Sequence, residues 1–127
     1  MKRHTAQWVL KAEDDIAVAR TIAAMKRPRR DAACFHCQQS VEKYLKALLH
    51  ESGAPIPKTH NLNELINLLL PYDPSLGRLR RGLKSLSRYG VDYRYPGPRA
   101  TTRELKSAIR IAEKVRTELR AKLGLAK

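Results

Sequence analysis

With 127 residues, 43% of them hydrophobic, the chain has the apolar content of one packed core and too much of it for a disordered segment. Its 26 Lys and Arg outnumber 12 Asp and Glu, a net charge of +14. That favours an anionic partner, whether nucleic acid, nucleotide, acidic protein or membrane surface, without choosing among them; the alternative is a solvated Arg-rich exterior. No stretch approaches the roughly 20 apolar residues of a membrane span. The basic opening MKRHTAQWVLKAEDD lacks the apolar run of a signal peptide. The expectation is a single cytoplasmic domain over residues 1–127 with no membrane association.

The predicted elements are all helical. Trp8, Val9, Ala12, Ile16, Ala19 and Ala23 recur at helical spacing and predict a first helix from about Thr5 to Met25. Lys26-Arg27-Pro28-Arg29-Arg30 breaks it with an exposed basic turn, a candidate phosphate contact. From Asp31 to Ser52 there is no Gly or Pro, Asp31 stands as a possible cap, and Gly53 follows the end. Wound at about 100° per residue, this central helix gathers Cys34, Cys37, Val41, Tyr44, Leu45, Leu48 and Leu49 on one side. His36, Ser40, Lys43 and Ala47 fall roughly opposite.

Two features complicate that helix. Gln38 falls inside the apolar arc, where an unsatisfied amide would cost about 1–3 kcal/mol, so it requires a partner from another helix or another subunit. Phe35, Gln39, Glu42 and Lys46 border the arc, with Glu42 and Lys46 spaced as a favourable surface ion pair. The edge Phe35–Gln38–Gln39–Glu42–Lys46 is therefore a candidate interface; the alternative is a core helix with one satisfied glutamine and a solvated flank. Cys34 and Cys37 share the apolar side while His36 points away, and no second cysteine pair exists, so core packing is expected and no metal site.

After the proline-rich Gly53–Pro57 connection, Asn61 with Glu64 caps a short third helix carrying Leu62, Leu65, Ile66 and Leu69. Asp73-Pro74 opens a fourth, with Leu76, Leu79, Leu83, Leu86 and Tyr89 apolar and Arg78, Arg80, Arg81, Lys84 and Arg88 cationic. Gly82 and Gly90 mark close packing or a bend there. Thr101 or Thr102 caps the last helix, with Glu104 completing a Thr-x-x-Glu box from Thr101, and Leu105, Ala108, Ile109, Ala112, Val115 and Leu119 stripe it. The fold class expected is all-α: an up-and-down antiparallel bundle of four long or medium helices and one short one.

The run from Phe35 to Leu49, FHCQQSVEKYLKALL, resembles the FHxQQxxEKxLKALL core of HEPN-domain proteins. Lys58-Thr59-His60-Asn61-Leu62 is similar to that family's KTHDL turn, and Tyr93-Arg94-Tyr95-Pro96 to its RYP element. The resemblance implies a small antiparallel helical bundle that commonly forms a homodimer and often accompanies a separate small nucleotidyltransferase.

The chemistry available narrows the function. No Gly-rich phosphate loop and no paired metal-binding carboxylate motif is present, so this chain is not itself the transferase, and no cofactor is implied. HEPN proteins that cleave RNA carry Arg-x(4–6)-His near the start of their last long helix, but no histidine follows His60. Arg29 or Arg30 with His36 has the spacing by count, in the wrong place. No catalytic residue is assigned. Lys58, His60, Arg94 and Tyr95 are the candidate nucleotide contacts, since Arg grips phosphate and Tyr stacks on a base. The reading is a non-catalytic HEPN-type module that dimerises and binds a small nucleotidyltransferase, with a contribution to nucleotide or RNA binding in a toxin–antitoxin-like pair. The alternatives are a metal-independent ribonuclease toxin and a basic nucleic-acid-binding adaptor.

Overall fold

The structure, a computed structural model, describes residues 1–90, 96–97 and 99–127; residues 91–95 and 98 lie outside the described residues. Helix α1 spans Arg3–Ala23, α2 Arg30–Glu51, α3 Leu62–Leu69, α4 Arg80–Ser87 and α5 Thr102–Lys122. Short 3-10 turns, Pro74–Leu79 and Arg88–Gly90, flank α4. No strand occurs among the described residues, and no described helix is long and apolar enough to cross a membrane. The bundle expected from the periodicity is the bundle observed.

Direction follows from contacts between helix ends. The Lys2 amide donates to Glu51 Oε1 at 2.9 Å and its ammonium to the His50 carbonyl at 3.2 Å, so α1 starts where α2 ends. Glu13 meets Arg116, and Arg20 meets Glu113, so α5 runs antiparallel to α1. Asp31 and Arg30 reach Ala100 while Tyr44 reaches Arg120, so α5 is parallel to α2.

The ends obey capping chemistry where the sequence advertises it. Asn61 accepts from the amides of Asn63 and Glu64, and the Thr101–Glu104 box closes in both directions. At α2 the Gly53 amide donates to His50 O and the Ala54 amide to Leu49 O, a Schellman closure whose reversing residue, Gly53, sits at φ +80°. Asp31 differs from expectation. Helix α2 begins one residue earlier and has no side-chain cap; the Asp31 carboxylate instead accepts from the Ala100 amide at 2.6 Å and ties the start of α5 to the start of α2.

Helix α2 is the axis of the bundle, against α1, α3 and α5, and this corrects its reading as a one-sided helix. Ser40 and Ala47, assigned to the outer face, are buried. Both are small, and the Ser40 hydroxyl donates to the Ala12 carbonyl of α1 at 2.8 Å, so the α1 backbone lies directly on that face. The expected fourth helix also differs in form. Its extent holds from Pro74 to Gly90, but it is an α-helix only in its middle, between two 3-10 turns. Both of its glycines mark close approach: a Cβ on Gly82 would lie 2.9 Å from Ile111 Cγ2, and one on Gly90 3.1 Å from the Gln38 amide.

Candidate functional site

The polar residues of the central helix form one connected cluster. Gln38 is fully buried; its amide nitrogen donates to the His60 carbonyl at 3.1 Å, and its oxygen accepts from Gln39 at 2.7 Å. The partner predicted from another helix or subunit is thus supplied by the chain's own 58–62 turn and by the neighbouring residue. Glu42 and Lys46 are not the surface pair expected: their side chains are 3% and 7% exposed and meet at 3.1 Å. The Lys46 ammonium also lies 5.6 Å from the Trp8 ring centroid, a cation–π distance.

His60 closes the cluster. Its Nδ1 lies 3.1 Å from both Glu42 carboxylate oxygens, and a carboxylate only accepts, so the ring proton sits on Nδ1. The imidazole is two-thirds exposed (66%), and no described residue bonds to its Nε2. A ring held by a carboxylate at one nitrogen and open at the other can donate or accept at the surface. Lys58, two residues earlier, is exposed and makes no ion pair with a described residue. The other two candidate nucleotide contacts, Arg94 and Tyr95, lie outside the described residues, as does Tyr93.

Of the candidate interface, Gln38, Glu42 and Lys46 are enclosed within the single chain, and Phe35 and Gln39 are partly exposed beside them. Gln38 and Glu42 hold the 58–62 turn against α2, and Lys46 pairs with Glu42.

Of the two displaced Arg–His spacings, Arg30 with His36 does not assemble. Arg30 donates from Nε to the Ala100 carbonyl at 2.7 Å, whereas His36 binds Asp15 Oδ1 through Nδ1 at 2.8 Å. Six residues apart on one helix, the two side chains are about 120° apart around its axis. Asp15 also takes the Lys43 ammonium, so the α1–α2 seam carries a buried carboxylate between two α2 side chains. Cys34 and Cys37 are both buried, and burial pushes their thiols up to about 11 and about 12. Among the described residues no group of three His, Cys, Asp or Glu side chains lies together as a metal site would require.

Two further arrangements come from the structure. Glu13 accepts from two of the Arg116 guanidinium nitrogens, Nε and Nη2 (2.7 and 2.9 Å), and from the Tyr44 hydroxyl. The Arg116 hydrogen bond, then that of Tyr44, outweighs burial and holds the Glu13 carboxyl down at about 2. Burial, reinforced by the bond to Glu13, pushes the Tyr44 phenol up to about 12. The second arrangement is a set of basic hollows. One of about 870 Å3 lies beside the basic turn, with Arg27, Arg29, Arg30 and Arg99 on its walls. Others lie along α5. The run 26–30 signalled the first; of the others, one lies on α5 alone and one combines residues of two helices, which leaves no local signature.

Comparison with known proteins gives one family and one fold. The sequence profile described as the HEPN domain matches residues 5–122. The crystal structure of TT1696 from Thermus thermophilus is similar with a TM-score of 0.82 at 22% identity, covering 95% of this chain and 99% of that one. ST0689, described as an archaeal HEPN homologue, is similar with a TM-score of 0.75 at 25% identity, covering 96% and 98%. No curated protein matches the chain.

Proposed function

The chain belongs to the HEPN-domain family, and from that premise we propose that it acts as a non-catalytic binding module, dimerising and engaging a small nucleotidyltransferase in a toxin–antitoxin-like pair. One observation carries the non-catalytic part. The two histidines embedded in family-like motifs, His36 and His60, are each bound to a carboxylate of their own chain, and neither bonds to an arginine among the described residues. Phosphoryl transfer from RNA needs a cation at the phosphate and an acid–base group on the same atom set. Here the nearest match by spacing, Arg30 and His36, is split between Ala100 and α1.

The binding part rests on the 58–62 turn. Glu42 and Gln38 fix it from behind, and it offers Lys58 and the open edge of His60 outward. With Arg94 and Tyr95 these residues would contact a nucleotide phosphate and base, and Phe35 and Gln39 would lie in the contact with the second copy. The test starts at the neighbouring reading frame: a small nucleotidyltransferase encoded there is co-expressed with this chain, and a neighbourhood without one counts against the pairing. A stable complex should co-purify, and sedimentation of the chain alone at micromolar concentration should give a dimer. A chain that stays monomeric and leaves the transferase in the flow-through refutes the proposal.

A further inference from the structure

Helices α4 and α5 run antiparallel and are tied at both ends of their contact. Arg78 holds Glu118 through two nitrogens, at 3.3 and 3.1 Å, and Arg88 pairs with Glu104. Between these ties the helices enclose a groove of about 500 Å3. Gly82 lets α4 sit against Ile111, and the floor is apolar, from Leu79, Ile111 and Val115. The walls are cationic: Arg81 on one helix, Arg110 and Lys114 on the other, with the Ser85 and Ser107 hydroxyls between them. A second hollow of about 640 Å3, with Arg103 and Lys106 on its walls, shares Ser107 and Arg110 with the first, so the two are continuous.

Three facts separate this track from a generally basic surface. Among the described residues no carboxylate lines either hollow. The acids of α5 are committed elsewhere, Glu104 to Arg88, Glu113 to Arg20 and Glu118 to Arg78. Arg81, Arg103, Lys106 and Lys114 form no ion pair with a described residue, and Arg110 reaches only the Ser107 hydroxyl, at 3.5 Å. A row of like charges left together in this way is relieved by an external anion.

We propose that this groove is a binding track for the phosphodiester backbone of a single-stranded nucleic acid. From Arg103 to Lys114 the row rises roughly 16 Å along α5, which suits several successive phosphates better than one mononucleotide. A duplex is too wide to enter a cleft of this size between two helices. No aromatic ring among the described residues lines the groove, so bases stay outside it and binding is independent of sequence. The track goes beyond the transferase-pairing reading and does not depend on it.

The test uses the full chain and fluorescently labelled short oligouridine RNA, followed by anisotropy at about 0.15 M salt and above, where long-range attraction is largely screened. Arg81→Gln/Arg110→Gln/Lys114→Gln is compared with Arg3→Gln/Lys11→Gln/Lys26→Gln, which removes the same charge from cations of the α1 side. The groove variant should lose at least about ten-fold more affinity than the control, and its log–log salt slope should flatten by about 2, the counterion release of three phosphate contacts on a single strand. Ser85→Asp/Ser107→Asp, which puts carboxylates into the track while leaving every cation in place, should weaken binding in the same way. ATP should not displace the RNA. Equal losses in both triple variants, no measurable binding by the unaltered chain, or full displacement by ATP would overturn the proposal. The readout is RNA on the isolated chain, so its failure leaves transferase binding untouched.

Discussion

Glu42 is the residue whose removal should damage the molecule most for its size. It is the buried carboxylate that pairs with Lys46, holds His60 and lies 3.4 Å from the Gln38 amide. In Glu42→Ala the Lys46 side chain, only 7% exposed, keeps its charge and loses its counter-ion. Breaking one side of a buried pair costs about 3–5 kcal/mol, against the 5–15 kcal/mol of a typical domain. At about 2.1 cal/mol/K of unfolding entropy per residue over 127 residues, a loss near 4 kcal/mol lowers Tm by about 15 °C. Urea titration followed by circular dichroism measures the free energy directly. The double variant Glu42→Leu/Lys46→Met removes both charges, and Gln38 keeps its bond to the His60 carbonyl, so it should recover at least half of the single variant's loss. A Glu42→Ala loss below about 1 kcal/mol, or a double variant as unstable as Glu42→Leu and Lys46→Met measured singly and added, would refute the idea that this cluster is an energetically coupled unit.

Acid sensitivity should trace to Glu13. Its carboxyl sits at about 2, well below its ordinary 4.5, so the folded state gains from its ionisation above pH 4.5 and loses that gain as pH falls toward about 2. The Tm gap between the unaltered chain and Glu13→Gln should be full at neutral pH and close across that window; a gap that persists at the acid end contradicts the assignment. Gly82→Ala should bring no stabilisation, although Ala exceeds Gly by about 1 kcal/mol in helix propensity, because the new Cβ meets Ile111 Cγ2 at 2.9 Å. In an Ile111→Ala background the same change should stabilise; thermal melts that show a gain in both backgrounds would remove the close-packing argument.

Much of the fold is written locally. Asn61 with Glu64, the Thr101–Glu104 box and Gly53 punctuate the chain by side-chain chemistry that acts within four residues, and each ends or begins an element where expected. The outer face of α2 was misread because an amphipathic pattern describes a helix with one neighbour, and this one has three. Ser40 and Ala47 are ambiguous by hydropathy, and what buries them is the α1 backbone. The Glu42–Lys46 spacing gave the pair correctly but not its burial, which depends on Trp8 and on the 58–62 turn folding over it. The α4–α5 groove escaped for a related reason: Arg81, Arg110 and Lys114 look like ordinary solvated cations until two helices bring them together.

The most direct test of the non-catalytic reading is RNA cleavage. Purified chain, freed of contaminating nucleases and supplied with chelator, should leave labelled tRNA and mRNA intact over hours, because His36 and His60 are bound to Asp15 and Glu42 without an arginine partner among the described residues. Cutting that co-purifies with the chain and disappears in His36→Ala or His60→Ala, with the melting transition retained, would contradict the account and assign that histidine to catalysis.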